Sequence, residues 1–118
     1  MYEVNRSVAI VKPKLAFFDW LRGTPDWDLE LTLENLRVDC TALLIPEFNE
    51  PEDAINFIDD MYQDIFDSEL ASWCDDSALW PQQRTLQTFW EWFDIELHSM
   101  VIDVTDEDID EVTLEDLH

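Results

Sequence analysis

At 118 residues the chain has room for one domain with a sizeable core and not for two. Six Lys and Arg stand against 29 Asp and Glu, a net charge of −23, so nucleic acid and anionic lipid are excluded as partners and cationic ones are favoured. A hydrophobic content of 47%, with six tryptophans and seven phenylalanines, separates this chain from a disordered acidic polymer and opposes a merely halophilic account of its acidity.

Gly23 is the single glycine, which leaves no phosphate-cradling loop. Cys40 and Cys74 are too few for a disulfide framework or a zinc cluster, and their neighbours Asp39 and Asp75 raise a thiol pKa rather than activate it. The first 18 residues lack the pattern of a signal peptide, and no apolar run approaches membrane-spanning length. The expectation is a monomeric cytoplasmic protein with two free thiols and no cofactor.

In chain order, Met1 to Asn5 reads as a leader. Ser7 to Lys12 is β-branched and apolar and stops at Pro13, which predicts a buried strand. Leu15 to Leu21 predicts a helix stopped by Gly23, followed by a turn at Thr24-Pro25-Asp26. Residues 29–33 alternate as a strand does, but Thr32 with Glu34 and Asn35 favours a short helix over 32–38. Thr41 to Phe48 is a continuous apolar run and predicts a central strand, flawed on one side by Pro46.

Asn49 to Trp73 organises the rest. Ile55, Ile58, Tyr62, Ile65, Phe66, Leu70 and Trp73 recur at helical spacing and predict a buried stripe. Asn49 is placed to cap the first turn, with Glu52 three residues on and Pro51 between. The opposite face is read as Glu52, Asp53, Asp59, Asp60, Asp64, Asp67 and Glu69, without one lysine or arginine. Ordinary surface helices intersperse both signs, because like charges four apart repel by a few tenths of a kcal/mol.

Residues 74–77 break that helix, Ala78 to Trp80 is a short turn, and Pro81 starts a further helix to Trp92. Phe93 to Val104 then alternates and predicts the last strand. Thr105 to His118 is an acidic tail, either disordered or a weak helix. The fold expected is α+β, a three-stranded sheet covered by three to four helices in a single domain over 1–104, with the tail at 105–118. The sequence leaves open whether the strands pair parallel or antiparallel.

The segments NRSVAIVKP (5–13), FFDWLR (17–22), LTLENLRVDCTALLIPEF (31–48), LWPQQRTLQTFWEWF (79–93) and HSMVIDV (98–104) together resemble a family of small acidic bacterial proteins without established activity. The resemblance implies a bacterial, soluble, single-domain protein and carries over no functional residue. In composition alone the chain is similar to the DNA-mimic proteins, which share no motif.

No catalytic or metal motif survives scrutiny. Asp106, Asp108 and Asp110 match the first positions of a calcium loop, but Glu111 stands where glycine is needed and Leu117 where a bidentate glutamate is needed. His98 beside Ser99 lacks the surroundings of a nucleophile elbow and reads as a surface histidine. The tryptophans Trp73, Trp80, Trp90 and Trp92 read mainly as core, with Trp80 or Trp92 a candidate exposed anchor. The expected function is therefore non-enzymatic. The acidic helix is read as a DNA mimic that occupies the DNA-binding surface of a basic, nucleoid-type protein. The alternative is a small enzyme or ligand-binding domain using the region Trp80 to Trp92.

Overall fold

The computed structural model describes residues 1–25 and 27–114. Asp26 of the expected turn and residues 115–118 of the acidic tail, with Leu117, lie outside them. The fold is α+β: among the described residues, a three-stranded antiparallel sheet and a two-stranded one, with four α-helices. Strand β1 spans Tyr2–Glu3 and β2 Ser7–Pro13; helices α1 (Leu15–Arg22) and α2 (Leu33–Val38) precede β3 (Thr41–Ile45). Helix α3 runs from Pro51 to Trp73, a 3₁₀ turn covers Ser77–Leu79, and α4 (Leu86–Trp92) leads into β4 (Phe93–His98) and β5 (Ile102–Asp103).

The central strand is β2, not β3, and the order is β3-β2-β4. Strand β2, the longest, pairs on both sides: Ser7, Ala9, Val11 and Pro13 are buried, and the residues between are half-buried. Strand β3 lies at the edge and stops at Ile45, as Pro46 next along cannot donate to a ladder. The register sets Val11 opposite Thr41 on one side and Ile95 on the other, so the inner face continues from strand to strand.

Other boundaries shift for local reasons. Thr32 caps α2 in a reciprocal capping box with Asn35. Glu50, not Asn49, is the N-cap of α3 and makes no side-chain cap, so the helix start rests on Pro51 and on the acids Glu52 and Asp53 at the positive end of the dipole. Helix α4 starts five residues later than Pro81 suggests, because the Thr85 hydroxyl accepts from Thr88 N–H and Arg84 folds back to donate to the Pro81 carbonyl at 2.7 Å. Gly23 closes α1 in ordinary right-handed backbone, φ −84°, so the stop does not use glycine's left-handed freedom. The last strand is two pieces: β4 ends at His98, and β5 pairs with β1, so the supposed leader is part of the fold.

The core is aromatic. Phe17, Phe66, Phe89 and Phe93 are fully buried, and Phe66 meets Phe93 edge-on at 5.4 Å between ring centroids. Helix α3 contributes Ala54, Ile58, Ile65, Phe66 and Leu70 to this core, with Phe57 and Tyr62 half-buried against it; Ile55, expected in the stripe, is half-buried. Trp73, expected inside, is 43% exposed at the helix end. No helix among the described residues is long and apolar enough to cross a membrane.

Candidate interaction surface

At 100° per residue, Asp53, Asp60, Asp64 and Asp67 fall within an arc of roughly 60° opposite the buried stripe. Asp53 and Asp64 are about 16 Å apart along the axis at 1.5 Å per residue. Glu52, Asp53, Asp60 and Asp64 are exposed. Among the described residues, no salt bridge or side-chain hydrogen bond joins any of these four to a cation.

The remaining three residues of the expected acidic face have other duties. Asp59 is half-buried and accepts from the Trp90 indole N–H at 2.8 Å, tying α3 to α4. Asp67 holds Arg84 through an Nε–Oδ1 contact of 3.0 Å. Glu69 is a correction: it is only 7% exposed and belongs to the inner face. It lies four residues after Ile65 and three after Phe66, so helical angle carries it inward whatever its charge. Burial pushes its pKa up, and a hydrogen bond from Thr41 opposes that rise.

The two candidate anchors part ways. Trp92 is half-buried, with its ring 5.5 Å from Phe66, 6.0 Å from Trp20 and 6.1 Å from Phe17; it is an arm of the core. Trp80 donates its indole N–H to the Cys74 carbonyl at 2.7 Å and carries the Arg84 guanidinium 5.6 Å from its ring centroid. It lines an open groove with Asp64, Asp67, Ala71 and Asp75, so this indole borders the acidic stripe.

The few cations explain why the stripe is bare. Lys12 pairs with Glu96, Lys14 and Arg37 with Asp94, Arg22 with Asp19, and Arg84 with Asp67. Thus five of the six basic side chains are engaged, and three of those serve the outer edge of β4. Glu96 also hydrogen-bonds His98 at 3.0 Å, and the His98 and Lys12 contacts hold its carboxyl below the ordinary range. Cys40 is pushed up chiefly by burial, with Lys12 and Arg37 pulling down and Asp39 a lesser contributor than the sequence suggests.

Comparison of the chain with protein-family models, with curated proteins and with solved structures gave no match.

Proposed function

We propose that this chain is a non-enzymatic acidic interaction protein, a DNA mimic whose α3 face occupies the DNA-binding surface of a basic, nucleoid-type protein. It acts as a bacterial cytoplasmic monomer without a cofactor. One observation carries the reading: Asp53, Asp60 and Asp64 stand exposed in one line and, among the described residues, unpaired with any cation, while Lys12, Lys14, Arg22 and Arg37 are engaged off α3 and Arg84 reaches only Asp67 at the end of the line. Asp60 and Asp64, four apart on the helix, are about 5–6 Å apart, comparable with phosphates that rise 3.4 Å per residue along a strand, and Asp53 continues the line two turns before them. The uncompensated repulsion along this line is relieved when lysines or arginines of a partner dock on it. Trp80, in the adjoining groove, supplies an aromatic face for one such side chain.

The test is a competition gel shift with a purified nucleoid-type protein and its DNA. Glu52→Gln, Asp53→Asn, Asp60→Asn and Asp64→Asn are introduced together; Asp67 is kept, since its loss frees Arg84. Exposed pairs contribute on the order of 1 kcal/mol or less each, so the quadruple change is expected to cost roughly tenfold or more in affinity and restore DNA binding. Neutralising Asp106, Glu107, Asp108 and Asp110 instead is expected to do less. Equal losses from the two sets mean that net charge alone is recognised and the phosphate-row reading fails.

A further inference from the structure

Across α3 from the acidic stripe, a second feature is left unused by the proposed function. Where the end of α2, the start of β3 and the last turns of α3 meet, they form an open pocket of about 210 Å³ whose rim residues Asp39, Thr41, Ser72 and Trp73 are exposed. Glu69, Ser72, Thr41, Cys40 and Asp39 give it polar walls, and Trp73 stands at its edge. Its floor is apolar.

Glu69 is nine-tenths buried there, yet it makes no salt bridge among the described residues. Lys12 and Arg37 lie near neighbouring Cys40, but their ion pairs are with Glu96 and Asp94. An ionised carboxylate buried with the Thr41 hydroxyl as a hydrogen-bond partner and no counter-charge is expensive, so it stays protonated or gains from a cation that enters the pocket. A metal ion is a poor candidate, as no three His, Cys, Asp or Glu side chains among the described residues are grouped to hold one. An anion would meet Glu69 and Asp39.

A primary ammonium fits each wall. Its three N–H groups match the Glu69 carboxylate and the Thr41 and Ser72 hydroxyl oxygens. An alkyl stem suits the apolar floor, and the Trp73 indole offers a face to the charge. At roughly 30 Å³ per water, the volume equals about seven waters, room for a short aliphatic amine. We infer that this cavity is a binding site for a primary alkylammonium group, supplied by a free aliphatic amine or by a lysine side chain of another protein. Glu69 and the acidic stripe lie on opposite faces of α3, so the inference is independent of the proposed function.

The probe is n-butylammonium, titrated into the isotope-labelled full chain at about 0.15 M salt, where weak surface association is screened. Saturable shifts are expected at the amides of Cys40, Thr41, Glu69 and Ser72 and at the Trp73 indole, with none from n-butanol. Shifts spread over the whole acidic surface, no saturation, or an equal response to n-butanol would overturn the inference. Glu69→Gln is expected to weaken binding at least tenfold. Ser72→Tyr, which fills the cavity and keeps Glu69, is expected to abolish it; unchanged affinity in both variants rules the site out. The stripe variant must retain butylammonium binding, since loss there would mean that only overall charge is sensed. Binding of an otherwise uncharged lysine peptide, lost on acetylation of the lysine, supports a protein side chain as the source. A peptide that fails where butylammonium succeeds supports a free amine.

Discussion

Glu69 shows how position and chemistry compete at a single residue. Its place on the helix faces the sheet, and burial there penalises the charged form. The sign of the pH dependence follows. Below the ordinary glutamate value of about 4.5 both folded and unfolded chains hold the proton, and Glu69 carries no penalty. As pH rises above that value the unfolded chain releases its proton first, so stability falls until the raised folded pKa is passed and then levels off. Glu69→Gln removes this single contribution. The unfolding free energy of the variant minus that of the parent is expected to grow in the variant's favour across that window, measured by urea melts in a pH series. A gap that stays constant with pH would show that Glu69 ionises freely in the fold. The same melts bear on the cavity: butylammonium at a concentration that saturates the parent should stabilise the parent more than the variant.

At the scale of elements, α3 is the member on which packing and surface both depend. Phe66 contacts Phe89, Phe93 and Trp92, so Phe66→Ala is expected to cost about 3–5 kcal/mol, whereas Trp73→Ala, at the half-open helix end, is expected to cost about 1–2 kcal/mol. Denaturant melts measure both, and equal costs would mean that the helix end is packed as firmly as its middle. The bounds of α3 were legible because a 3.6-residue apolar period and Pro51 are local signals, and β2 because its run is β-branched. The misread features are those decided at a distance. Two-residue strands β1 and β5 form only by meeting each other across the chain, with Tyr2 opposite Asp103, and nothing within either segment announces it. Strand β3 reads as central from its apolarity, but the partner count of β2 sends it to the edge. On the acidic face, Glu52, Asp53, Asp60 and Asp64 were readable from angle alone. The engagement of Asp59 by Trp90 and of Asp67 by Arg84 depends on where α4 and its preceding loop fold back.

For the whole molecule, the question is where the charge of −23 is concentrated. Self-repulsion destabilises a highly charged fold, and added salt relieves it, so the melting temperature is expected to rise between about 0.01 M and 0.15 M sodium chloride as the Debye length shortens from roughly 30 to 8 Å. Spacing decides how much each carboxylate contributes. On α3 the helix holds Asp60 and Asp64 about 5–6 Å apart and keeps Asp53 in line two turns away, whether or not a partner is present. Residues 105–114 are exposed and tied to the body chiefly through the contact of the Tyr2 hydroxyl with Asp106 at 3.4 Å. Removal of residues 105–118 deletes seven carboxylates: Asp106, Glu107, Asp108, Asp110, Glu111, Glu115 and Asp116. It is expected to leave the fold intact, because the apolar residues Ile109 and Val112 are mostly exposed. The quadruple amide change on α3 removes only four charges, yet it is expected to flatten the rise of melting temperature with salt more than the truncation does. A larger effect from the truncation would show that repulsion follows charge number rather than spacing, and the bare line of Asp53, Asp60 and Asp64 would then store nothing for a cationic partner to release.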